Sequence, residues 1–194
     1  MTETTITDKK SIYYPPGGIL IWFLILLEIF TFLGGIFAFL LYRKDALEEF
    51  KQAQALLNPL VGTINTLVLI TSGYFMANSI HQLKDGKNLQ SKKSTQIAML
   101  LGILFLIIKS VEFYGKISSG IGFTHNTFFT FYWLMTGFHY VHVLFGVGLL
   151  AYMQKAISNE KYNAKNMFDV ESSATYWHLC DLIWILIFPI LYLL

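Results

Sequence analysis

Residues 127–153 read TFFTFYWLMTGFHYVHVLFGVGLLAYM, and the fold turns on how this stretch is read. The run is apolar without the alternation of a half-buried strand, and it is long enough to cross a ~30 Å hydrocarbon core as a helix. In lipid the backbone must satisfy its own polar groups, which a lone helix does and a lone strand does not. Two histidines, His139 and His142, lie inside the run. Ionisable side chains at membrane depth are costly unless they find partners, so each marks a candidate functional site. The same question attaches to residues 176–181, YWHLCD, where His178 and Asp181 stand in a second apolar run.

The whole chain agrees with a membrane setting. Its 194 residues are 55% hydrophobic and 16% aromatic but only 13% charged, with a mean hydropathy of +0.53, which excludes an ordinary soluble domain. A net charge of +2 with scattered basic residues gives no footprint for nucleic acid. Cys180 is the one cysteine, so an internal disulfide or thiolate cluster is excluded, and its apolar setting suits an inert buried side chain. Residues 1–17 read as a short tail. The apolar run that follows exceeds a signal-peptide core and has no small-residue cleavage site, so it is expected to remain as an anchor. Without a linker or internal repeat, residues 18–194 read as one domain.

Five spans follow, at about 18–42, 59–81, 95–116, 127–153 and 173–194. The expected fold is therefore an all-α integral membrane bundle of five helices. Pro15 and Pro16 precede the first span and Pro59 opens the second, where a missing N–H costs nothing. Lys and Arg in alternate loops set the direction. Nine fall in the tail, the second loop and the fourth loop, including Lys84, Lys87, Lys92, Lys93, Lys155, Lys161 and Lys165; four, Arg43, Lys44, Lys51 and Lys116, lie opposite. The N-terminus is accordingly expected in the cytoplasm and the C-terminus outside.

Depth can be counted at 1.5 Å per residue. Glu28 lies ~15 Å into the first span and His139 ~18 Å into the fourth from the other side, so these two are expected to meet near the midplane. His142 is one turn further along. Glu171, Thr175, His178 and Asp181 share one face of the fifth helix, at a depth where His142 can arrive, so a hydrogen-bonded clamp between the fourth and fifth helices is expected. Lys109 and Glu112, at i and i+3, can neutralise each other as a structural ion pair. The histidines have two readings: hydrogen-bonded contacts between helices, or, with a carboxylate, ligands of a metal or haem. Gly34 with Ala38, Gly73 with Ala77, Gly137 and Gly146 mark places for close helix approach, and Asn65 and Asn78 are expected to bond across helices. His81 is placed at the interface. Tyr13, Tyr14, Tyr42, Tyr132, Trp133, Tyr152 and Tyr192 fall near span ends, as belt aromatics do.

Taken in order, ILLEIF around Glu28, NPLVGTINTLVLITSG, SVEFYGKI around Glu112, FYWLMTGFHYVHVLFG and ESSATYWHLCDLIWILIFPILY resemble subunit III of the haem–copper oxidases. The resemblance covers nearly the whole chain after residue 17. It implies that Glu28, Glu112, His139, His142, His178 and Asp181 belong to the family's buried polar interior. It also implies a V-shaped bundle, the first two helices splayed from the other three, with phospholipids in the cleft. The two extra N-terminal helices of seven-helix members are absent here. DALEEF, AQALLNP, the INTLVLITSGYFMA run, Lys109 and the final FPILYLL bring it nearest to the NorE type of nitric oxide reductase accessory protein.

In family terms the chain carries no redox centre: it has neither a Cys-x3-Cys copper motif nor a haem-ligating histidine set. The implied protein is a non-redox accessory component of a respiratory oxidase or nitric oxide reductase in the bacterial cytoplasmic membrane. Its partners would be membrane lipids and a subunit I-type chain holding the haem and copper, with further subunits. The contrasting reading is a stand-alone transporter or proton carrier, for which a broken helix or inverted repeat would be the cue; neither is visible.

Overall fold

The computed structural model describes residues 18–159, 162 and 167–194; the tail with Lys9, Lys10, Tyr13, Tyr14, Pro15 and Pro16, and Lys161 and Lys165, lie outside them. Five long helices form, α1 (Ile19–Asp45), α3 (Pro59–Lys84), α4 (Asn88–Ser118), α5 (Thr127–Ser158) and α6 (Phe168–Tyr192), with a short α2 (Leu47–Gln54) between the first two. All five long helices are apolar and long enough to cross a membrane, and no strand occurs among the described residues. The helices outrun the apolar spans. Hydropathy marks the lipid-soluble part of a helix, whereas hydrogen bonding carries α4 back through the polar NLQSKKSTQ stretch.

Local chemistry explains the ends. Asn58 caps α3, its side chain accepting from the Leu60 and Val61 amides, and Pro59 follows at the first helical position. Asn126 caps α5 in the same way through the Phe129 amide. Between α3 and α4, Gly86 takes φ 74° to make the turn. The unforeseen α2 buries Phe50 and Ala53, and the Phe39, Phe50 and Phe128 rings meet with centroids 5.2–5.8 Å apart.

The helices α3, α4, α5 and α6 close into a four-membered ring, each packed on its two neighbours, and α1 lies outside against α5 and α6. This corrects the expected grouping of the first two spans against the other three. The second span belongs to the ring, because its small and hydroxyl residues receive large side chains from α6. The Trp177 indole is seated where a Cβ on Gly102 or Gly146 would come within 2.5 or 2.8 Å of the ring. Its Nε1–H donates to Ser72 Oγ at 3.1 Å, and Ser72 donates to the Ala98 carbonyl at 2.7 Å. One tryptophan thus ties α6 to three helices. Two turns along, Trp184 donates to Thr66 Oγ1 at 2.9 Å, and Phe188 and Tyr192 crowd Gly62. Gly34 and Gly137 have open space around them, so the closest approaches fall partly at glycines other than those expected.

Near the turn between α3 and α4 the two helices are joined by hydroxyls. Ser79 Oγ lies 2.9 Å from Ser91 Oγ and 2.6 Å from Thr95 Oγ1, and Ser94 donates to Gln82 at 2.8 Å. Such pairs hold helices together where neighbouring apolar surface gains nothing over lipid.

Candidate functional site: three polar groups within the bundle

The largest group sits towards the α4–α5 turn. Lys109 is fully buried, and its Nζ donates to Glu112 Oε2 at 3.0 Å, Tyr192 OH at 2.6 Å and Tyr132 OH at 3.3 Å. Both phenols also donate to Glu112 Oε1, at 2.8 Å from Tyr132 and 2.6 Å from Tyr192. The rings of Phe113, Tyr132, Trp184 and Tyr192 surround the ammonium at 5.0–5.2 Å, an arrangement favourable to a desolvated cation. The expected Lys109–Glu112 pair is therefore the centre of a network joining α4, α5 and α6. Tyr132 and Tyr192 are not belt residues. They lie at belt depth but are turned inward, with 0% and 3% exposure.

The second group fastens α1. Glu28 Oε1 lies 3.2 Å from His142 Nε2, and His142 Nδ1 faces the Phe138 carbonyl at 2.8 Å. With that carbonyl as acceptor, Nδ1 carries a proton. Glu28 does reach a histidine, but it is His142 rather than the expected His139. Three residues along an α-helix leave a rotation of about 60°, enough to send one imidazole to α1 and the other into the ring. His139 is 0% exposed, stacked on Trp184 at 5.3 Å and edge-on to Phe105 at 5.7 Å. Among the described residues neither of its nitrogens has a hydrogen-bond partner, and the same holds for the buried Asn65 amide, whose neighbour Thr66 accepts from Trp184.

The third group lies on the α3 side of α6. His178 Nδ1 is 3.3 Å from Asp181 Oδ2, and that oxygen would stand 2.1 Å from a Cβ on Gly73, so only glycine there admits the carboxylate. Further along, Glu171 pairs with Lys84 at 3.2 Å, and Thr175 donates to the Glu171 carbonyl. The shared face of Glu171, Thr175, His178 and Asp181 is real, but it turns to α3. The clamp expected between His142 and the His178–Asp181 pair is not formed, since His142 is engaged by Glu28; instead Tyr176 OH donates to the His142 carbonyl at 3.3 Å. His81, exposed at the end of α3, lies 3.9 Å from Asp85.

The three intramembrane histidines thus point to α1, to the ring interior and to the α3–α6 groove. Among the described residues, no three His, Cys, Asp or Glu side chains converge as metal ligands.

Comparison with known proteins then decides the family. The model of cytochrome c oxidase subunit III matches residues 18–194. The chain belongs to that family. Cytochrome c oxidase subunit 3 of Synechocystis is 30% identical over 209 aligned positions, covering 100% of this chain and 88% of the relative. That of Thermostichus vulcanus is 30% identical over 192, covering 98% and 94%. The rabbit protein of the same name is 33% identical over 140, covering 70% of this chain and 51% of its own length.

For a subunit III chain, the arrangement offers hydrogen bonds and ion pairs between helices. Ser72, Thr66 and Trp184 complete these contacts and were not singled out from sequence, while Tyr132 and Tyr192, expected as belt aromatics, complete the Lys109–Glu112 network. For the two hydroxyl residues the one signal is position: Ser72 adjoins Gly73, and Thr66 lies one turn from Gly62.

Proposed function

We propose that the chain is a non-redox accessory subunit of a respiratory haem–copper oxidase-type complex. It supports the assembly and stability of a subunit I-type partner, which holds the haem and copper, and shelters the route by which gas and protons reach it. The observation that carries this reading is the disposition of the polar side chains. Lys109, Glu112, Tyr132 and Tyr192 satisfy one another across three helices, and Glu28 with His142 fixes a fourth. These are struts within a bundle, and oxygen chemistry needs a partner. The cytochrome c oxidase relatives favour oxygen as the terminal acceptor over nitric oxide.

The lysine distribution supports an orientation with the N-terminus in the cytoplasm and the C-terminus outside. Exposed apolar side chains along α1, among them Leu20, Phe23, Leu27, Phe30 and Phe37, suit phospholipid contacts. Purification in mild detergent tests the proposal. The chain should co-isolate with a haem-bearing polypeptide and show no haem absorbance once separated from it. A haem-free preparation of this chain alone that transports protons or solutes in vesicles would replace the proposal with the transporter reading.

A further inference from the structure

Four residues, one from each helix of the ring, share a level. Hydrogen bonds set the antiparallel register of α3 on α4, Ser72 meeting Ala98 and Ser79 meeting Ser91, and the same count carried two turns further brings Asn65 opposite Phe105. The Phe105 ring lies 5.7 Å from that of His139 on α5 and 5.0 Å from that of Trp184 on α6. Trp184 returns to α3 through Thr66, the residue beside Asn65. Asn65 belongs to the face of α3 that carries Leu69, Ser72, Met76 and Ser79, every one fully buried, so its amide is turned into the bundle.

Asn65 and His139 are both 0% exposed, and none of the side-chain nitrogen and oxygen atoms of either has a hydrogen-bond partner among the described residues. The hydroxyls within a turn or two are already spent as donors: Thr66 on the Gly62 carbonyl, Ser72 on that of Ala98 and Thr136 on that of Tyr132. Nor do the two helices pack on each other, since α3 and α5 are opposite members of the ring, each seated on α4 and α6. An imidazole offers one donor and one acceptor whichever nitrogen carries the proton, and the amide offers two donors and an acceptor oxygen. Left unpaired inside a bilayer, such groups are heavily penalised. An ion would find no countercharge at this level, and a lipid chain cannot enter between four packed helices. Water is neutral, both donates and accepts, and makes about three hydrogen bonds where it is buried among polar groups.

Independently of the accessory-subunit reading, we infer that Asn65 and His139 form an internal water site, in which ordered water, as one molecule or a linked pair, is hydrogen-bonded to both side chains and ties α3 to α5 across the ring. Phe105 and Trp184 are its walls, and the stacking of Trp184 on His139 at 5.3 Å holds the imidazole at the level of the amide. The site gives a role to the intramembrane histidine that has neither the Glu28 contact of His142 nor the Asp181 contact of His178.

Electron cryo-microscopy of the wild-type protein in lipid nanodiscs, with the partners that co-isolate with it and at a resolution that shows ordered water, tests this. Water density should run from the Asn65 amide to the His139 ring within hydrogen-bonding distance of both. A direct bond between the two side chains, water on one of them alone, or an empty level in a map that resolves water elsewhere would overturn the site. A double-mutant cycle reads the same bridge in solution, because Asn65→Leu and His139→Phe remove the polar atoms while roughly keeping shape. Each change alone leaves the other group without its bridge, so the unfolding equilibrium of the double variant in detergent should fall short of the product of the two single effects by about three- to tenfold. Single effects that simply multiply would contradict a shared water and mean that the two groups are satisfied separately.

Discussion

α1 and α6 are both apolar spans, yet 56% of the apolar window of α6 is buried within the chain and only 22% of that of α1. The difference lies in what each helix offers its neighbours. α6 sends Trp177, Trp184 and Tyr192 into glycine and hydroxyl sockets on other helices. α1 contributes Ile25, Phe32, Ile36 and Phe39 to the core, the Glu28 contact with His142, and the Arg43 hydrogen bond to the Leu194 carbonyl at its end. In lipid, apolar surface alone draws helices together weakly; close fit and hydrogen bonds do so. Hence α6 should be the axis of the bundle and α1 its most loosely held member.

Substitutions can break this contrast, beginning with the largest effect. Trp177→Ala empties a socket shared by three helices and should destabilise the subunit by about 3 to 5 kcal/mol, read as thermal unfolding in detergent. A shift no larger than that of an α1 core residue such as Phe32→Ala would remove α6 from its central place. Lys109→Met should cost about 3 kcal/mol, because it leaves Glu112 buried against two phenols without its cation. Lys109→Met with Glu112→Leu should be milder than the single change, since both charges go together; an equal or larger loss would mean that the tyrosines depend on the pair for more than charge balance.

The loosely held side should respond less. Glu28→Gln keeps a hydrogen-bonding group facing His142 and should cost about 0.5 to 1.5 kcal/mol, with α1 becoming more accessible to protease while the four-helix ring resists. Uniform loss of resistance across all helices would show that α1 is integral to the ring. Gly34→Ala, at a position with open space, should be neutral within the error of the same melt.

Depth along each helix was legible in the sequence, and rotation about it was not. Apolar runs located the five spans, and counting residues put Glu28 at the level of the α5 histidines. Which histidine it meets depends on a 60° rotation that only packing sets. Tyr132 and Tyr192 show the same limit: their depth is that of belt aromatics, but the buried ammonium of Lys109 draws their hydroxyls inward. The Lys109–Glu112 pair could be read because i, i+3 spacing fixes both depth and rotation within one helix. The polar face of α6 was legible for the same reason, whereas its partner α3 was not, since helix order around a ring leaves no periodic mark. The short α2 escaped because eight residues carry too little pattern.

The central claim is that these buried polar groups hold helices while the partner performs the redox chemistry. Its most direct test is the initial oxygen turnover per haem of the complex carrying Lys109→Met and Glu112→Leu together, measured alongside the amount of chain retained. The account predicts turnover within about twofold of wild type, in a complex whose subunit III chain is retained or lost according to its stability. A fully retained, normally folded chain with turnover reduced tenfold or more would contradict it and place the Lys109–Glu112 network in the reaction itself.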